Sequence, residues 1–128
     1  FTDPEVARVG LTEAEAARRH PGSRVVELPM AEFDRARTAG RTDGFVKIII
    51  GPRRLLRNAG GGRVLGATIV AERAGEMLTE VTLALRTRMF VGRLAQTSHP
   101  YPSWSVAVQQ AVAQLYGIGE RRPRKAQQ

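Results

Sequence analysis

At 128 residues, 42% hydrophobic and 25% charged, the chain has the size and composition of one globular domain and is too short for two ordinary ones. It has no cysteine, which excludes disulfides and thiolate metal sites within it and agrees with a cytoplasmic setting, and no apolar run approaches the roughly 20 residues of a membrane span, so no membrane partner is expected. The net charge of +8 is almost wholly arginine, with Lys47 and Lys125 the only lysines; the arginines are scattered rather than gathered on one element, which argues against nucleic acid as a partner.

The chain opens on Phe1-Thr2-Asp3-Pro4, with no initiator Met and no leader pattern, and is read as a segment of a longer protein. Ala7–Leu11 alternates weakly, as a short strand does. Thr12-Glu13-Ala14-Glu15 then places a capping hydroxyl and first-turn acids at the start of a helix, which His20-Pro21-Gly22 ends; His20 reads as a solvated residue at that end. Val25–Met30 is a second strand and Ala31–Arg37 a short helical crossing. Phe45–Ile50 is the strongest strand signal, apolar on both faces and therefore central. Asn58-Ala59-Gly60-Gly61-Gly62 makes a wide turn into Arg63–Val70, giving an antiparallel hairpin. This glycine run lacks the spacing of a phosphate cradle and leads into a strand rather than a helix.

Met77, Val81 and Leu85, with Leu78 beside them, make Ala74–Met89 a long packed helix, and Val91–Thr97 a short one follows. Ser98–Val106 is a loop stiffened by Pro100 and Pro102, which hold His99 and Tyr101 on backbone that cannot relax into helix. Trp104, Val108, Ala111, Val112 and Leu115 then form a helical stripe, core or partner-facing, with Ser103 as N-cap. The order of elements predicts an α+β fold over residues 1–118, an antiparallel sheet with helices packed on one side. Residues 119–128, with Arg121, Arg122, Arg124 and Lys125, are read as a basic C-terminal tail that frays.

Few residues offer chemistry. His20 and His99 are the only imidazoles and lie far apart, so no metal site is expected. Ser98, Ser103 and Ser105 surround His99 without the strand-turn-helix elbow of a nucleophile. Glu76 and Glu80, one helical turn apart, read as a solvated or partner-facing edge. His99 can move a proton near neutral pH; Tyr101 donates a hydrogen bond but is a weak base there.

Three segments together are similar to a known family. Phe1–Glu13 resembles the opening of the C-terminal dimerisation domain of the pyridine nucleotide-disulfide oxidoreductases, which include dihydrolipoamide dehydrogenase, glutathione reductase and mercuric reductase. Leu65-Gly66-Ala67-Thr68-Ile69-Val70, followed by Ala74-Gly75-Glu76-Met77, resembles that family's hairpin strand and long helix. The proline loop falls where the family carries its His-Pro-Thr-x-Ser-Glu motif. The resemblance implies a homodimer interface and a loop, Ser98, His99, Pro100 and Tyr101, that faces the partner subunit's FAD. FAD and NAD(P)H would then be held by other domains of the parent protein and not by this chain alone, which lacks the nucleotide-binding glycine motif and the redox cysteines.

Run ungapped from Ala74-Gly75-Glu76, the family's acid/base His falls on Tyr101 and its orienting Glu on Val106; Pro102 and Ala107 match in the same register. A phenol with a pKa of about 10 is a poor base at neutral pH, and valine cannot orient a proton carrier. His99 is the one possible surrogate, with no carboxylate partner evident in the sequence. The parent enzyme is thus expected to pass electrons to a metal ion, a quinone or a disulfide, the first two needing less proton handling. The alternative from another class is a stand-alone basic interaction module that pairs through the Trp104–Leu115 helix and binds anions or nucleic acid.

Overall fold

The structure is a computed structural model that describes residues 2–56, 58–119 and 121–127. Its centre is the most apolar segment of the chain, Phe45–Gly51, here β3, in which Val46, Ile48, Ile49 and Ile50 are all buried. A strand buried on both faces needs a partner along each edge and a layer over each side. The edges are filled by β4 (Arg63–Ala71) and β2 (Arg24–Pro29), both antiparallel to β3. Outside them lie β1 (Glu5–Gly10) on β4 and the two-residue β5 (Arg124–Lys125) on β2, giving the order β1-β4-β3-β2-β5.

The main core lies on one face of this sheet. Val26, Val46, Ile48 and Ile69 meet Met77 and Val81 of α3 (Ala74–Arg86), Val91 and Leu94 of α4 (Val91–Gln96), and Val108 and Val112 of α5 (Val106–Ala113). This is the expected α+β layering. One short helix, α1 (Glu13–Arg19), sets Ala16 over Val25, Ile49 and Leu65 on the opposite face, while α2 (Asp34–Ala39) sets Ala36 in the main core. The Thr12 cap forms as its spacing predicts: Thr12 accepts from the Glu15 amide while the Glu15 carboxylate accepts from the Thr12 amide and hydroxyl, and these bonds hold the Glu15 carboxyl below the usual carboxylate range. Gly66 is needed where β4 passes Leu11, because a side chain there would run into the Leu11 backbone.

Two expectations change. The last helix starts at Val106 with Ser105 at its N-cap, and no side chain caps it; Ser103 and Ser105 instead bond each other, Oγ to Oγ, at 3.0 Å. The basic tail does not fray over its described residues. Arg124 and Lys125 pair with Val25 and Arg24, the Ala126 amide donates to the Ser23 carbonyl at 2.9 Å, Arg121 grips Glu32 with two nitrogens, and Arg124 grips Glu13. The Arg124 guanidinium holds the Glu13 carboxyl below its ordinary value.

Candidate functional site

The proline loop leaves α4 at Thr97 and enters α5 at Val106, over the end of the sheet where β2 finishes. It is tied to the domain by side chains. His99 is turned inward with its side chain only 6% exposed. Its Nδ1 is 2.8 Å from the Thr97 carbonyl and its Nε2 is 2.8 Å from Glu80 Oε2 on α3. Gln109 of α5 donates to the same Thr97 carbonyl at 3.0 Å and to the Ala95 carbonyl at 3.1 Å. A carbonyl can only accept, so Nδ1 donates to Thr97 and Nε2 faces the Glu80 carboxylate. Glu80 Oε1 is buried with no hydrogen-bond partner among the described residues, so His99 is the group that answers this carboxylate.

The sequence thus hid a carboxylate partner for His99. Glu80 belongs to the buried flank of α3, next to Met77, Val81 and Ala84, rather than to a solvated edge with Glu76. Its position beside that apolar stripe was the available signal. With both ring nitrogens engaged, His99 presents none to a substrate in this geometry. Neither Ser103 nor Ser105 hydrogen-bonds to His99 among the described residues, so no Ser-His pair forms.

Tyr101 points the other way. It is 70% exposed, and its hydroxyl reaches only Asp34 Oδ2 at a long 3.4 Å. The next side chains lock its base: Trp104 packs on Phe33 with ring centroids 6.2 Å apart and lies under the Arg35 guanidinium at 5.8 Å, while Val106 is buried in the main core. The loop therefore holds an outward phenol on a base pinned by His99, Gln109 and Trp104. Pro100 and Ser98 are exposed beside it. His20, expected to be solvated, is half-buried, and burial, with Arg63 and Arg19 next, pushes its pKa down. No group of three His, Cys, Asp or Glu side chains placed to hold a metal occurs among the described residues.

Comparison with known proteins identifies relatives for this arrangement. Residues 1–112 match the family described as pyridine nucleotide-disulphide oxidoreductase, dimerisation domain. The chain is 34% identical over 116 residues to a dihydrolipoyl dehydrogenase of Thermus scotoductus, covering 91% of this chain and 24% of that protein. It is 41% identical over 103 residues to a mercuric reductase of Shewanella putrefaciens, covering 79% and 17% respectively. Among solved structures, LpdA from Mycobacterium tuberculosis superposes with a TM-score of 0.76 at 34% identity, over 90% of this chain and 24% of that one. The Cu(II) complex of the HOCl-induced flavoprotein disulfide reductase RclA from Escherichia coli gives 0.78 at 28% identity, over 88% and 24%. The chain spans about a quarter or less of the length of these relatives.

Proposed function

Because the chain belongs to the dimerisation-domain family of the pyridine nucleotide-disulphide oxidoreductases, we propose that it forms the homodimer interface of an FAD- and NAD(P)H-dependent oxidoreductase and completes the partner subunit's flavin site with the Ser98–Tyr101 loop. The observation that carries this reading is the outward Tyr101 on an anchored loop, at the position of the family's acid/base His. FAD and NAD(P)H, held in other domains, supply the hydride and electron chemistry. This chain contributes a hydrogen-bond donor at the Tyr101 hydroxyl, a wall of loop backbone that excludes water, and no efficient base. His99 acts as a positioning residue: its bond to Glu80 keeps the loop in place.

A site whose outward group is the Tyr101 phenol, with its His99–Glu80 pair turned inward, is poorly suited to protonating a leaving thiolate, so a metal ion or a quinone fits as electron acceptor better than a disulfide. The name of one relative, a mercuric reductase, supports a metal ion, whereas RclA is named a flavoprotein disulfide reductase. The test is steady-state kinetics of the full-length protein with each acceptor class. Tyr101→Phe should lower turnover with a quinone or metal ion by about three- to tenfold, the worth of one hydrogen bond. Tyr101→His should raise disulfide reduction. Loss of all activity in Tyr101→Phe, or efficient disulfide reduction by the unaltered protein, would overturn this assignment.

A further inference from the structure

Beyond that reading, the other end of the sheet carries a feature that the Ser98–Tyr101 loop does not touch. No acidic residue occurs between Glu15 and Glu27 or between Asp43 and Glu72, and these two stretches hold Arg18, Arg19, Arg24, Lys47, Arg53, Arg54, Arg57 and Arg63. Antiparallel pairing brings much of that charge to one place. Arg24 at the start of β2 lies opposite Ile50, and Arg63 at the start of β4 lies opposite Gly51, with α1 ending beside them. The result is an open concavity of about 460 Å³ lined by Arg19, His20, Arg53, Arg54 and Arg63, with no carboxylate in its wall. Arg53 is fixed there by stacking over Phe90 at 4.0 Å and by donating to the Arg88 carbonyl at 2.6 Å. No ion pair among the described residues engages Arg19, Arg54 or Arg63. Burial and the neighbouring Arg63 and Arg19 charges push His20 towards its neutral form.

Beside this concavity the β3–β4 connection projects two adjacent leucines into solvent. Leu55 is 89% exposed and Leu56 is 54% exposed. A turn that leads with Pro-Arg-Arg and then exposes Leu-Leu joins the two elements that reversible membrane attachment requires, an apolar wedge and a cluster of cations at the same level. We propose that this hairpin tip docks the protein on the surface of an anionic phospholipid bilayer. Leu55 and Leu56 enter the headgroup–acyl boundary, and Arg19, Arg54 and Arg63 take lipid phosphates. A peripheral contact of this kind needs no spanning helix, and no helix among the described residues is long and apolar enough to be one.

The experiment is co-sedimentation of the full chain with vesicles of equimolar phosphatidylglycerol and phosphatidylcholine, beside vesicles of phosphatidylcholine alone. Binding to the anionic vesicles is expected to exceed binding to the neutral ones by about tenfold or more. Leu55→Ser/Leu56→Ser should weaken it by at least about tenfold, since the two side chains that would enter the bilayer are removed. Arg54→Gln should weaken it by about fivefold, the worth of one juxtamembrane cation. Arg122→Gln changes the net charge equally at an exposed site outside the concavity and should have little effect. Circular dichroism checks that each variant is folded. Four results would overturn the proposal: no partition, full binding by the leucine variant, equal losses in Arg54→Gln and Arg122→Gln, or displacement by inorganic phosphate at constant ionic strength. The second and third would mean adsorption by net charge, and the last a site for a small anion.

Discussion

The two loops at opposite ends of the sheet present their side chains in different ways. The proline loop is fastened to the body by His99 on Glu80, by Gln109 on two carbonyls and by Trp104 on Phe33, and it offers one polar tip, Tyr101. The β3–β4 connection is fastened by Arg53, through Phe90 and the Arg88 carbonyl, by Arg24 donating to the Gly61 carbonyl and by the Val91 amide donating to the Gly62 carbonyl, and its tip offers apolar surface beside cations. A group that must meet a reacting centre needs its position set within a fraction of an ångström, which takes internal clamps. A bilayer surface accepts many orientations, so composition serves there in place of geometry. The cost of disrupting each loop should therefore fall on a different quantity.

The largest expected loss of stability is at the clamp. His99→Ala leaves Glu80 with neither oxygen answered and should cost about 1–3 kcal/mol, read as a fall of roughly 3–12 °C in Tm. A double-mutant cycle with Glu80→Ala should return a coupling of about 1–2 kcal/mol; additive losses would mean that the bond contributes no stability.

A smaller effect is expected at the docked tail. The Glu13 carboxyl lies below its ordinary 4.5 in the folded chain because Arg124 bonds its charged form. Its contribution is therefore complete above pH 4.5 and is lost as the pH falls through the folded value. Glu13→Gln should remove on the order of 0.5–1 kcal/mol at neutral pH and expose the tail amides, Ala126 among them, to faster hydrogen exchange. Equal exchange in both proteins would show that β5 pairing holds the tail without the ion pair.

The smallest change in stability belongs to Leu55→Ser/Leu56→Ser, within about 0.5 kcal/mol in denaturant unfolding, because neither side chain is part of the core. A larger cost would give the tip a structural role and erase its contrast with the proline loop.

Local signals made much of the fold readable. The Thr12–Glu15 capping box, the unbroken apolar run of β3 and the Met77–Val81 spacing of α3 each lie within a few neighbouring residues. The register that puts Tyr101 at the family's His position came from a resemblance, not from periodicity. The features that were missed depend on residues distant in the chain. Glu80 meets His99 only because the loop that follows α4 returns to α3, and Arg124 meets Glu13 only because the tail adds a strand to β2. The basic pole was hidden in the same way. Its arginines are spread over several elements, and only the antiparallel pairing of β2, β3 and β4 brings them to one end. Ser103 failed as a cap because Ser105 takes its hydroxyl and the helix starts three residues later.

The function proposed for this chain requires that Tyr101 face a second copy of the protein across the dimer interface. A benzophenone amino acid placed at position 101 of the full-length protein, and separately at position 122, tests it by irradiation and denaturing electrophoresis. The prediction is a covalent dimer from position 101 and none from position 122. Crosslinks confined to one chain at position 101, in a protein that is dimeric in solution, would contradict it.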